Sequence, residues 1–303
     1  MSRRAAVSVG VPVYNGARFL SATLDHLRAQ DLSDIEIVIS DNGSQDATEA
    51  ICRQAAAEDD RIVYSRSERN RGMGWNYNRT LELAGAPLFM WNPYDDVAKK
   101  NYLARCVDAL KQHPEAVLAS TGVEIIDESG AVVGRLPSLQ WSGAESTPHA
   151  RVREFLDTEA WDLVYGVART DALRAVGGMP HLVGDDVILG VDLLLRAPIV
   201  YLEEPLFQRR RHSEQSSEQS DATAGAVQQT PGRTPWIHLP HWRINYELYL
   251  RALRAPVPPR ERLAAVGAVF GGWTVPKRRR LLGDLRRNGE TITRRVASMR
   301  SGR

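Results

Sequence analysis

The sequence predicts an α/β protein with a mostly parallel central sheet, flanking helices and a C-terminal helical extension. Three observations lead there. β-branched apolar runs alternate with amphipathic helical stretches through the first hundred or so residues. The intervening segments are long enough for right-handed crossovers between parallel strands. After Pro235 the pattern is helical throughout.

The elements follow in order. "AVSVGVPV" (5–12) is a strand that stops at "YNG", and Asn15 is placed to cap the helix "ARFLSATLDHLRAQ". "IEIVISD" (35–41) is a second buried strand, followed by the helix "QDATEAICRQAAAE" with Asp46 near its start. "RIVYSRS" (61–67), the helix "GMGWNYNRTLELAG" (72–85) and "APLFMWN" (86–92) complete the alternation. The middle of the chain changes character. Residues 116–137 read as strand, "DESG" turn and strand, and 159–178 as a strand-like segment and a short helix. Residues 184–212 supply two carboxylates, a helix, a strand and a basic run. The Ser-, Gln- and Glu-rich stretch that follows reads as a flexible loop, 213–235. The expected organisation is a catalytic domain over 1–212, with halves of about 1–97 and 98–212, and a basic helical extension over 236–303.

Composition bounds the function. The 303 residues are 43% hydrophobic and 25% charged, which fits a globular core and excludes a disordered or fibrous chain. With 39 basic against 37 acidic residues, net charge names no partner. The two cysteines, Cys52 and Cys106, fall in predicted helices without metal-ligand spacing and read as buried small hydrophobes. The N-terminus carries no cleavage-site pattern, and the longest apolar run, 263–276, is too short to span a bilayer. A cytoplasmic location is expected.

In parallel sheets ligands sit at the C-terminal strand ends. Four polar turns converge there: Pro12, Val13, Tyr14 and Asn15; Asp41 to Ser44; Asn70, Arg71 and Gly72; and Asp95 with Asp96. Adjacent carboxylates repel, and each wants water or a cation. At the exit of the apolar strand "FMWN" they suggest a divalent metal as readily as a solvated turn. Asp185 and Asp186 open a later helix, where the dipole favours ionised carboxylates, as caps or as a general base.

The segments "VSVGVPVYNGARFLSATLDHLRAQ", "IEIVISDNGSQDAT" and "NRGMGWNYNRTLELA" resemble the family 2 glycosyltransferases of the GT-A fold. "WNPYDDVAKKNYLARCVDAL" and "GDDVILGVDLLLRAPIVYLEEPLFQRRRH" resemble a subgroup whose metal motif reads Trp-x-x-x-Asp-Asp. The likeness covers about residues 6–212, and its specificity lies in the order and spacing of the segments. It implies an inverting transfer of a sugar from a nucleoside-diphosphate donor to an acceptor hydroxyl, assisted by Mn²⁺ or Mg²⁺. By the same resemblance, Pro12, Val13, Tyr14 and Asn15 pack on the nucleobase and Asp41 accepts from it. Asn70 and Arg71 flank the nucleotide, and Asp95 lies near the ribose. Asp96, with Asp95 and His212, holds the metal, and Asp186, with Asp185 as the alternative, is the base. Pro93 stands where many members carry a further aspartate, and Tyr94 where the subgroup has His.

From Lys277 onward ten Lys and Arg residues face only Asp284 and Glu290. Beside the apolar run ending at Trp273, this suits an anionic membrane surface and a lipid-linked acceptor; the alternative is a solvated helix packed on the catalytic domain. No stacking or groove-reading motif points to nucleic acid. Two other functions compete. A sugar-nucleotide pyrophosphorylase would want a Gly-rich phosphate loop, which "VPVYNGARF" lacks. A non-catalytic nucleotide- or glycan-binding protein on the same fold would bind nucleotide without turnover.

Overall fold

The computed structural model describes residues 5–136, 146–212 and 239–301, with side chains described as far as Gly289. The loop expected at 213–235 lies outside the described residues.

The first half is laid down as the alternation requires. Strand β1 (Val7–Val13) is buried along its whole length and pairs in parallel with β2 (Ile35–Asp41) and β4 (Leu88–Trp91), while β3 (Ile62–Arg66) extends β2. Near-continuous apolar strands of this kind belong to sheets covered on both faces. Helices α1 (Leu20–Arg28), α2 (Thr48–Glu58) and α3 (Met73–Leu83) are the crossovers. Residues of β4 alternate between two cores: Phe89 and Trp91 point into one, Met90 into the other.

Beyond β4 the sheet is mixed rather than parallel. The order is β3-β2-β1-β4, then β8 (Val167–Arg169), β6 (Leu118–Ile126), β9 (Ile199–Arg210) and β5 (Val97–Ala98), with β7 (Val132–Arg135) on β6, nine strands in all among the described residues. The two-residue β5 (Val97–Ala98) leads into α4 (Tyr102–Gln112), then β6 (Leu118–Ile126) and β7 (Val132–Arg135). Helix α5 (Pro148–Thr158) precedes a 3₁₀ turn (Trp161–Tyr165), where the sequence reads as strand-like. β8 (Val167–Arg169) runs antiparallel to β4 and β6, and α6 (Thr170–Ala175) follows. Helix α7 (Asp185–Arg196) leads into β9 (Ile199–Arg210), parallel to β6 and antiparallel to β5. The strand thus ends against the loop of the paired aspartates.

Helix α1 starts at Leu20, not at Ala17, and Asn15 does not cap it. Asn15 instead takes a left-handed backbone (φ 52°) and ties β1 to the β2 turn. Its N–H donates to Ser44 Oγ (2.9 Å), and its Oδ1 accepts from Gln45 N (2.8 Å). Helix α3 ends before Gly85, whose N–H is held by Glu36 Oε1 at 2.8 Å.

The C-terminal helices α8 (Pro240–Arg254), α9 (Pro259–Val269) and α10 (Arg278–Ser301) are present as expected. One core runs from Phe89 and Trp91 through α5 and α7 into Ile244, Leu248 and Ala252 of α8, then Ala265, Val269 and Trp273. The second core joins β1 and β2 to α1, α2 and α4, and buries both cysteines with free thiols. Desolvation pushes each thiol up to about 12, which keeps it protonated and inert.

Candidate active site

The turn carrying Asp95 and Asp96 is fixed from four sides. Asn92 is buried, and its Nδ2 donates to the carbonyls of Pro93 (2.8 Å) and Asp96 (3.2 Å). From α1, Thr23 Oγ1 donates to the Tyr94 carbonyl at 2.8 Å. Tyr94 lies so close to Gly16 that a Cβ there would meet its ring at 2.6 Å, so the β1 loop and this turn touch. The end of β9 closes the fourth side. Arg210 donates its backbone N–H to Asp96 Oδ1 (2.9 Å) and its Nε to the Asp95 carbonyl (2.9 Å). His212 Nε2 lies 2.8 Å from Asp95 Oδ2. Arg210, the last residue of β9, and His212, just beyond it, thus grip the same turn.

These contacts sort the basic run. Arg210 is consumed structurally, since its Nη1 also donates to the carbonyls of Asp127 and Glu128 and its guanidinium covers Phe19. Arg211 is exposed. Arg209 points instead to Asp162, with Nη1 3.3 Å from both carboxylate oxygens.

The residues expected to face a nucleotide gather at the ends of β1, β2 and β3. Asn42 donates its backbone N–H to the Val13 carbonyl and its Nδ2 to Asn70 Oδ1 (3.0 Å). Its Oδ1 accepts from Arg71 N at 2.9 Å. The Val13 carbonyl also accepts from Asn76 Nδ2 (3.1 Å). The exposed Arg71 guanidinium stacks on Trp75 at 4.3 Å, and Tyr14 is also exposed, so both are open to a ligand. Asp41 is 0% exposed. Its oxygens take Ser44 N (2.8 Å), Tyr64 OH (3.1 Å) and Arg66 Nε (3.0 Å). A carboxylate has about four acceptor positions, so one remains. Among the tryptophans, Trp91 is core, Trp75 carries Arg71, and Trp161 lines a cavity described below.

Asp185 and Asp186 form the first turn of α7 after Gly184, which takes a left-handed backbone (φ 80°). Asp186 Oδ1 accepts from Val187 N at 2.7 Å. A Cβ on Gly184 would lie 2.6 Å from Ile244 Cδ1, so α8 backs this turn directly.

The electrostatics join the parts. Burial, and then the charge of Asp95, pushes Asp96 well above the ordinary carboxylate range, against the opposing Arg210 N–H. Burial pushes Asp186 up to about 6; the Val187 N–H opposes this and the Asp162 charge adds to it. Asp162 is likewise raised by burial, against the pull of Arg209. Burial alone would lower Arg209, but the charges of Asp162, Asp96 and Asp186 outweigh it and raise the group. Tyr77 and Tyr165 share a hydrogen bond, and between them they feel the carboxylates of both acid pairs. Burial pushes the Tyr77 phenol up, and Asp95, Asp185 and Asp96 add to it. Tyr165 is raised in the same way, with Asp162, Asp186 and Asp185 among its neighbours. Asp95, Asp96, Asp162, Asp186, Arg209 and His212 therefore form one electrostatic unit. Asp162 was not among the residues singled out from the sequence; Asn42 was named only as part of the turn after the second strand, without its role in holding the Asn70–Arg71 turn.

Residues 8–158 match the family model described as glycosyl transferase family 2. An uncharacterized glycosyltransferase of Rickettsia felis is 29% identical over 221 residues, which is 70% of this chain and 35% of that protein. The putative glycosyltransferase EpsE of Bacillus subtilis is 30% identical over 146 residues, 47% of this chain and 52% of that protein. The chain thus spans a third to a half of these relatives' length. Among solved structures, S. aureus TarS 1–349 in complex with UDP superposes with a TM-score of 0.65 at 18% identity, covering 89% of this chain and 73% of that one. The mannosyltransferase PcManGT of Pyrobaculum calidifontis, in complex with GDP-Man and Mn²⁺, gives 0.53 at 18%, covering 98% and 81%. The matched segment makes the chain a member of glycosyl transferase family 2, and the shared architecture gives it the GT-A fold.

Proposed function

We propose that the protein moves a sugar from a nucleoside-diphosphate donor to an acceptor hydroxyl with inversion at the anomeric carbon. One observation carries this reading. The Asp95–Asp96 turn, the Asp186 turn and Arg209 form a single charged cluster beside the C-terminal ends of the parallel strands. Relatives of this architecture have been solved with UDP-GlcNAc and with GDP-Man, which supports a nucleotide-sugar donor here.

On this reading, Pro12, Val13, Tyr14 and Asn15 bound the base pocket, with Asp41 and the Asn70–Arg71 turn beside it. Asp95 lies next to the ribose. Asp186 takes the proton of the acceptor hydroxyl, with Asp185 as the alternative. The freed oxygen forms its bond to the anomeric carbon as the bond to the diphosphate breaks on the opposite face. Arg209, already charged and held by Asp162, faces the diphosphate as its charge builds.

The residues present fit a divalent metal. The buried Nδ1 of His212 has no hydrogen-bond partner, and its Nε2 pairs with Asp95. Among the described residues no three His, Cys, Asp or Glu form a ready-made cage. That suits a cation taking few protein ligands and the rest from phosphate. Asp96, Asp95 and His212 would hold it, and Mn²⁺ or Mg²⁺ there would offset charge on the departing diphosphate.

The C-terminal helices support a further partner, an anionic membrane surface. Trp242 and Tyr246 of α8 and Leu282 and Leu285 of α10 are exposed, and Trp242 Nε1 donates to the Leu281 carbonyl, so the two helices adjoin. Arg278, Arg279, Arg280 and Arg286 are exposed nearby. The one acid between Lys277 and Gly289, Asp284, is buried against His241. Exposed aromatic, aliphatic and basic side chains in one place suit the headgroup layer. No described helix is long and apolar enough to cross a membrane.

The deciding experiment measures nucleoside diphosphate released from a panel of nucleotide sugars with Mn²⁺, for wild type and Asp96→Ala. Release from one donor, lost in the variant, is the expected result. A nucleotide that raises the melting temperature while no donor turns over would support the binding-protein alternative instead.

A further inference from the structure

A cavity of about 170 Å³ opens between β6, the 3₁₀ turn and β9. Its walls include Ser120, Thr121, Trp161, Asp162, Tyr201 and Arg209. It lies outside the nucleotide-side cluster yet shares Asp162 and Arg209 with the catalytic one, so its contents would lie within reach of the Asp186 field.

We infer that this cavity seats one pyranose ring of the acceptor, which makes the acceptor a glycan or a glycosylated carrier rather than a bare lipid or aglycone. The inference rests on the transferase reading above. Three features carry it. The volume is below the roughly 300–1,000 Å³ typical of drug-sized ligands, which suits one small ring. The walls pair aromatic rings with hydroxyls, a carboxylate and a guanidinium. Sugar hydroxyls both donate and accept, so each kind of polar wall finds a partner, while the ring's C–H face meets the aromatics. Asp162 and Arg209 are held by one another at 3.3 Å, longer than most charge-assisted hydrogen bonds. This contact uses only Nη1 of the guanidinium, so other N–H groups and further carboxylate lone pairs can serve a hydroxyl without breaking the pair.

The backbone is also shaped at this place. The β6–β9 register slips between Thr121 and Gly122, where Thr121 pairs with Leu202 and Gly122 with Pro205. A Cβ on Gly122 would meet the Glu203 carbonyl at 2.8 Å. Bulges of this kind re-aim side chains next to binding sites, and here the slip falls beside Thr121 and Tyr201 in the cavity wall.

The test uses the full chain and ligand-observed NMR with a panel of methyl pyranosides (α and β glucoside, galactoside, mannoside, rhamnoside and N-acetylglucosaminide), without donor. At least one pyranoside is expected to bind wild type. Binding should weaken at least tenfold in Asp162→Asn and in Tyr201→Ala, each first checked by its melting curve, with Tyr201→Phe as a second variant should Tyr201→Ala unfold. No binding by any pyranoside, or binding unmoved in the folded variants, overturns the inference. Donor hydrolysis is measured separately on wild type. Hydrolysis without pyranoside binding removes this pocket and leaves the transferase reading intact. Pyranoside binding without hydrolysis keeps a sugar site here but overturns its role as an acceptor seat, since that role rests on the transferase reading.

Discussion

Replacing Asp186 by Asn separates chemistry from stability, and the two effects run in opposite directions. In the fold Asp186 titrates at about 6, against 3.8 for an unperturbed carboxyl. Two pH units at 1.36 kcal/mol each is about 3 kcal/mol. Discounting for solvent reaching a half-buried carboxylate leaves about 2 kcal/mol. The sign follows from the direction. A raised carboxyl favours the folded state while protonated, so its contribution is fully present below about pH 4 and lost as pH climbs through 6. At pH 7.5 wild type therefore bears a penalty that Asn removes. The variant should melt about 3–6 °C higher at pH 7.5, and the gain should shrink towards zero by pH 4. Its transfer rate should fall by at least 10²-fold, the usual worth of a general base. Wild-type kcat/KM should rise with pH around 6 and then level off. Differential scanning calorimetry at the two pH values and a pH–rate profile check all three. Near wild-type turnover in Asp186→Asn would refute the base assignment. An unchanged melting temperature at pH 7.5 would refute the desolvation argument.

Further outcomes follow from the same geometry. His212→Gln should raise the Mn²⁺ concentration needed for half-maximal donor hydrolysis by about 10–100-fold, since the imidazole supports Asp95 and offers a buried nitrogen; metal titration of the hydrolysis rate reads this. Gly184→Ala should destabilise the fold by about 1–3 kcal/mol in urea melts, because the new Cβ meets Ile244 and the backbone is left-handed. Replacing Arg278, Arg279 and Arg280 together by Glu should abolish flotation with liposomes containing phosphatidylserine, and 0.5 M NaCl should weaken it for wild type; flotation indifferent to both would remove the membrane partner.

The parallel half of the fold was legible because its signals are local. Apolar β-branched runs, their spacing and the polar turns at their ends place Asp41, Asn70, Arg71 and the Asp95–Asp96 turn along one sheet edge. The second half depends on pairings between distant segments. Asp162 stands on a 3₁₀ turn, and its partner Arg209 lies 47 positions on; no short-range pattern joins them. Helix α5 lacks a strong local signal, being polar at most positions, and forms because Val152, Phe155 and Leu156 are buried against α7 and the C-terminal helices. Asn15 misled because a residue fit to cap a helix also tolerates a left-handed backbone, and tertiary bonds to Ser44 and Gln45 chose the second use. The basic run was decipherable in principle. Period-two alternation in β9 already puts Arg209 and Arg210 on opposite sides, while His212, two residues past the strand, is placed by its bond to Asp95.

The close approach of Ile244 to Gly184 also has a meaning in time. The turn that presents Asp186 is synthesised well before its support, since α8 begins only at Pro240. A nascent chain can thus assemble the parallel half and the aspartate-pair turn while the Asp186 turn still lacks its backing. On the roles proposed above, an unfinished chain would lack the support behind Asp186 until α8 closes against Gly184, so competence for transfer would arrive late in synthesis.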